Sequence, residues 1–155
     1  MEYFSLKLIH IISSTILFGT GIGSAFYMFM ANRQKDVKVI YSTVKNVVIA
    51  DWLFTTSAIV IQLISGIFLA KDQGYSLEDR WLVLGIILYF FAGFCWLPVV
   101  WIQIKMRDMA KMSVTKNATL PKLYWTMELW WITLGVLAFP AIIAVFYLMI
   151  CKPEF

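Results

Sequence analysis

The sequence predicts an all-α integral membrane protein, a four-helix bundle with both termini on the outer side of the membrane. Three observations carry this. Of the 155 residues, 61% are hydrophobic and 14% charged, and the mean hydropathy is +0.80; a soluble domain is near half apolar and about a quarter charged. Four apolar runs, near 5–30, 47–70, 82–104 and 124–150, are each long enough to cross a hydrocarbon core of about 30 Å. Nine of the thirteen Lys and Arg residues fall in two connections, which places both connections on the cytoplasmic side. Hydrocarbon leaves no backbone group unsatisfied, so the runs form helices. The short alternating strands of a barrel are not present.

The first run starts acidic at Glu2, is too long for a secretory leader and lacks a small-x-small cleavage site, so it is expected to stay as a membrane helix. The connection after it carries Arg33, Lys35, Lys38 and Lys45, and the third connection carries Lys105, Arg107, Lys111, Lys116 and Lys122. The net charge of +4 then reflects topology and contact with anionic lipid headgroups, and implies no nucleic acid partner. The outer loop 71–80 is the most polar segment. In it Ser76 is expected as the N-cap of the third helix with Asp79 at N3, a capping-box variant. The inner loop 107–122 is expected to begin as an extension of the third helix, and Pro121 fits entry into the fourth. Pro98 and Pro140 are the mid-helix breakers. Cys95 and Cys151 lie at different depths and in no metal spacing, so no disulfide is expected. The whole chain, 1–155, reads as one domain.

Each helix has one face that is polar, small or aromatic, and these faces point inward because a polar side chain in lipid is costly. The first face is His10, Ser14, Leu17, Gly21, Ser24 and Met28, with the GxxxG pair Gly19 and Gly23 beside it. GTGIG has the wrong spacing for a dinucleotide fingerprint and follows no strand. Small residues there let a helix or a flat cofactor approach closely. The second face is Asp51, Thr55, Ala58, Gln62, Ser65 and Leu69, with Gly66 alongside. The third is Gly85, Tyr89, Ala92, Trp96, Val99 and Gln103, and the fourth is Glu128, Trp131, Gly135, Ala138 and Ile142.

Depth divides the polar groups. His10, the single histidine, lies near the outer end. Asp51 and Glu128 are read as lying near the N-termini of the second and fourth helices, where the helix dipole favours an acid. Arg33, Lys105, Arg107 and Asp108 lie near that level. An inner cluster of Asp51, Gln62, Glu128 and Arg107 is expected, either as an interfacial ion-pair network or as a functional site. For His10 four roles stay open: a hydrogen bond to a neighbouring helix, a haem axial ligand, a proton-relay group and a metal ligand. A zinc or copper site needs three or four donors, and no second histidine exists. Haem needs one strong axial ligand and a narrow apolar cleft. Lys7, Lys71 or Met149 lies at a depth suited to a second ligand.

LKLIHIISSTILFGTGIGSAFYMFMANR (6–33), ADWLFTTSAIVIQLISGIFLA (50–70), WLVLGIILYFFAGFCWLPVVWIQIKMRDMA (81–110) and AFPAIIAVFYLMICKPEF (138–155) together resemble the bacterial domain-of-unknown-function 2269 family of predicted integral membrane proteins. That likeness implies four helices and no established chemistry. LKLIHII more distantly resembles the first helix of the four-helix, haem-containing bacterial protoporphyrinogen oxidases (the HemJ type). That likeness implies haem b binding through His10. The family's essential third-helix lysine aligns with Gly85, which leaves haem binding without the same oxidase activity.

The reading is therefore a bacterial inner-membrane protein that binds haem b through His10 as iron ligand. Ser14, Gly21, Gly85, Tyr89 and Trp81 would line the site, with Trp96 flanking the cofactor. Its work would be membrane electron transfer or oxidation of a lipid-soluble or porphyrin-like substrate. The alternative is a cofactor-free accessory subunit of a larger membrane complex or a small transporter, which at this size would act as a homo-oligomer, with Asp51 the residue to test.

Overall fold

The computed structural model describes residues 3–154, so the acidic start at Glu2 lies outside the described residues. Four long helices follow one another: α1 (Tyr3–Gln34), α2 (Val37–Asp72), α3 (Arg80–Thr115) and α4 (Lys122–Cys151). All four are long and apolar enough to span a membrane. No strand occurs among the described residues.

The helices overrun the apolar segments read from the sequence, mostly at the end where the basic residues gather. The first connection shrinks to Lys35 and Asp36, with Lys35 in the left-handed region at φ 57°. Asp36 caps α2, its carboxylate accepting from the N–H groups of Lys38 (2.8 Å) and Val39 (3.3 Å). Lys38, Lys45, Lys105 and Lys111 thus sit on helices. Such extensions are stable outside lipid because apolar residues continue there at helical spacing, as in Ile40, Val44, Val47 and Val48. At the other end α3 starts at Arg80 with Asp79 as its N-cap residue, three residues later than expected. The Ser76–Asp79 pair does form. The Ser76 N–H donates to Asp79 Oδ2 at 2.8 Å, and the Glu78 N–H donates to Ser76 Oγ at 3.1 Å. It closes a turn ahead of the helix. Pro121 takes the N-cap position of α4, and both Pro98 and Pro140 lie inside unbroken helices.

α3 packs along α4, α1 along α2, and the first part of α2 against α3. Phe18 closes the bundle between α1 and α4, its ring 5.1 Å from Phe139 and 5.5 Å from Phe146. The tightest core lies toward the basic end, where Met28, Ile40, Val44, Met106 and Tyr124 are fully buried. Exposed Ile, Leu, Phe and Trp side chains on every helix form an outer surface suited to lipid. Cys95 is buried, Cys151 is exposed, and both are free.

Candidate functional site

Two polar sites are built into the bundle, about 16 Å apart along α2 by helical rise.

The first surrounds His10 on α1. Its Nδ1 lies 2.8 Å from Ser65 Oγ and its Nε2 lies 2.9 Å from Gln62 Nε2. Ser13 Oγ is 2.5 Å from Gln62 Oε1 and 2.9 Å from the His10 carbonyl. Ser65 Oγ also donates to the Ile61 carbonyl at 2.6 Å. Residues 62 and 65 are neighbours on one face of α2, as 10 and 13 are on α1, so two i,i+3 pairs meet across one interface. Gly66 makes the close approach possible. A Cβ there would stand 3.2 Å from His10 Cε1.

The second site is Asp51 on α2. Residues Asp51–Thr55 form a π-turn inside the long helix, with the Thr56 N–H donating to the Asp51 carbonyl. Such turns often accompany functional positions. Thr55 Oγ1 donates to Asp51 Oδ1 at 2.9 Å, and the Gln103 side chain of α3 reaches the same carboxylate. Asp51, Thr55 and Gln103 are all buried, and Gln103 Oε1 has no hydrogen-bond partner. Closer to the basic end, Asn32 Nδ2 donates to Glu128 Oε1 at 2.9 Å, and Tyr124 Oη donates to Asn32 Oδ1 at 2.8 Å.

These placements correct several expectations. Asp51 is not near a helix N-terminus, because α2 begins fourteen residues earlier at Val37; its support is Thr55 and Gln103 rather than a helix dipole. Glu128 is seven residues into α4, which begins at Lys122. Arg107 pairs with its neighbour Asp108 at 2.8 Å on the surface of α3. Neither Asp51 nor Glu128 forms an ion pair among the described residues. Gln62 joins His10 instead of the acids. On α1 the neighbour of the histidine is Ser13; Ser14 bonds the Ile11 carbonyl of its own helix.

The remaining sequence-selected residues are dispersed. Tyr89 Oη donates to the Ile59 carbonyl at 2.8 Å. Gly85 faces Met149 of α4, and Gly21 faces Phe139. Trp81 packs edge-on against Tyr75, with Lys152 over both rings. Gly19 and Gly23 face open space. Ser13, Asn32 and Tyr124 join these sites without standing among the face residues that helical spacing selects. Asn32 continues the first stripe one turn beyond Met28, and Tyr124 lies one turn before Glu128.

A haem iron needs a bare imidazole nitrogen beside an open cleft. Here Gln62 and Ser65 hold both nitrogens, and Gly66 closes on the ring edge. Iron would have to displace one of them, so the site as folded does not fit the group. No cluster of three or more His, Cys, Asp or Glu suited to a metal occurs among the described residues.

A family model described as predicted integral membrane protein, domain of unknown function 2269, matches residues 4–153. No curated protein and no solved structure matches the chain.

Proposed function

We propose that this chain, which belongs to the domain-of-unknown-function 2269 family of predicted integral membrane proteins, moves protons between the His10 site and the Asp51 site. The observation that carries the reading is one face of α2. Asp51, Thr55, Ala58, Gln62 and Ser65 recur at alternating spacings of four and three, and none is exposed. Both polar sites are built on that face.

The chemistry at His10 suits either charge state. With a neutral ring, the Gln62 amide nitrogen donates to Nε2 and Nδ1–H donates to Ser65 Oγ. With a protonated ring, the amide turns over. Its oxygen then accepts from Nε2–H, its nitrogen faces Ser13 Oγ, and Ser13 donates to the His10 carbonyl. At the other site Gln103 has a buried, unpartnered Oε1, and when its amide turns over a proton on Asp51 gives that oxygen a donor. Ala58 interrupts the polar series, so a proton crosses only when water enters at that level. The Tyr89 hydroxyl, bonded to the Ile59 carbonyl, is a polar group there.

The setting is the bacterial inner membrane, with the basic end cytoplasmic and both termini outside. Support comes from the nine basic residues gathered at that end. The unpartnered GxxxG face of Gly19 and Gly23 suits a second copy or a larger complex.

The test is proton entry into proteoliposomes holding a pH-sensitive dye, driven by a potassium diffusion potential. Wild type should admit protons faster than protein-free liposomes, and Asp51→Asn and His10→Ala should return to that baseline. Wild type at the baseline would overturn the reading. The rival, haem b at His10 serving electron transfer or oxidation of a porphyrin-like substrate, predicts a reduced alpha band near one haem per chain that His10→Ala removes.

A further inference from the structure

Where α2 and α3 leave the apolar zone, a groove of about 280 Å³ opens between them, lined by Tyr41, Lys45, Ile49, Arg107, Asp108 and Lys111. We propose that this groove binds the headgroup of an anionic phospholipid. Its charge is unbalanced: Lys45, Arg107 and Lys111 face one acid, Asp108, and Lys116 lines the adjoining hollow. Among the described residues Arg107 pairs with Asp108, while Lys45 and Lys111 enter no ion pair. Asp108 Oδ1 takes Arg107 Nε and one terminal nitrogen at 2.9 and 2.8 Å. This fixes the guanidinium plane and leaves its other N–H donors for a phosphate oxygen.

The depth fits a lipid bound in a leaflet. Lys105 lies over the exposed Trp101 ring, 5.8 Å from its centroid, an arrangement typical of the membrane–water boundary. Arg107 is two residues further on. On α2 the groove's apolar end is Ile49, next to the exposed Trp52 and Leu53. A phosphate held by the lysines would therefore send its acyl chains down an apolar helix face. A soluble phosphate would use the cations and leave that face uncovered. Basic grooves between membrane helices are a recognised form of headgroup site.

The experiment is native mass spectrometry of the full chain in uncharged detergent, titrated with phosphatidylglycerol, phosphatidylcholine or inorganic phosphate. Phosphatidylglycerol should bind in preference to phosphatidylcholine. In Lys45→Gln/Lys111→Gln its binding should weaken by about fivefold for each lysine removed. The matched variant Lys7→Gln/Lys71→Gln, at the other end, should bind as wild type. Equal binding of the two lipids, or unchanged binding in Lys45→Gln/Lys111→Gln, would overturn the proposal. Displacement of phosphatidylglycerol by inorganic phosphate at matching concentration would overturn the lipid as occupant. Circular dichroism of both variants checks that the helices persist.

Discussion

Tyr124→Phe isolates one hydrogen bond in the most tightly packed part of the bundle. The tyrosine is fully buried and Asn32 is 2% exposed. The hydroxyl donates to Asn32 Oδ1 at 2.8 Å, while the Asn32 amide nitrogen is committed to Glu128 at 2.9 Å. Phenylalanine fills almost the same volume, so the loss is a donor and not a cavity. Asn32 cannot turn to find another donor without giving up Glu128, so its oxygen is left unpaired. An orphaned buried acceptor costs about 1–3 kcal/mol in soluble proteins, and hydrogen bonds between membrane helices average about 0.6 with a maximum near 1.7 kcal/mol. The expected loss is about 1.5 kcal/mol, at the upper end of the membrane range, because the core here excludes water. Glu128→Gln keeps an acceptor for Asn32 and should cost less. Asn32→Leu strands both Tyr124 and Glu128 and should cost more than Tyr124→Phe. The assay is reversible unfolding in mixed micelles of mild and denaturing detergent. A Tyr124→Phe protein within about 0.3 kcal/mol of wild type, the usual error of such comparisons, would refute the argument, as would an Asn32→Leu protein no worse than Tyr124→Phe.

Gly66→Ala should destabilise by about 1–3 kcal/mol, because its Cβ would meet the His10 ring at 3.2 Å and that ring is tethered at both nitrogens. Gly85→Ala should cost less despite a nominal 2.9 Å contact, because what it meets is the mobile end of Met149; the same unfolding assay ranks the two. Asp36→Ala should cost about 1 kcal/mol through loss of the α2 cap, with faster hydrogen exchange confined to the first turn of α2. Thr55→Val removes the hydroxyl that donates to Asp51 Oδ1 and should slow dye-reported proton entry while the helices, followed by circular dichroism, remain intact.

Hydropathy was enough to find four helices, because the solvent imposes one requirement on every spanning segment. It could not find their ends on the basic side. Lys38 and Lys45 read as loop residues, yet their neighbours Ile40, Val44 and Val47 continue the helix into the core. Helical spacing brought Asp51, Thr55, Gln62 and Ser65 onto one face, and they share it. Spacing on α1 was less decisive, since Ser13 and Ser14 are adjacent and only the partner helix selects Ser13. The assignment of Gln62 to the acids failed for a geometric reason. Eleven residues of helical rise put Gln62 about 16 Å from Asp51, beyond the reach of a side chain, and the α1–α2 pairing brings it to His10 instead. The π-turn at Asp51 carries no composition signature.

The uneven distribution of the core follows from the two solvents. Ile40, Val44 and Met106, beyond the apolar runs, gain burial from water, and Met28 and Tyr124 at the inner ends of their runs pack against them to full burial. Within lipid, acyl chains compete equally for aliphatic surface, so helices must be held by close small-residue contacts and by polar bonds. His10 with Gln62 and Ser65, Tyr89 with Ile59, and Gly66 against the imidazole edge are such contacts. A polar group placed for cohesion needs only one satisfied arrangement. The His10 quartet instead accommodates a neutral or a protonated ring by turning one amide, and Gln103 retains an unused acceptor beside Asp51. Removing cohesion alone should lower stability in proportion to the bonds lost. Removing a proton site should abolish flux even in a variant such as Asp51→Asn, where the side-chain shape and the Thr55 bond survive. Comparing unfolding free energy with proton entry for that single variant therefore separates the two roles.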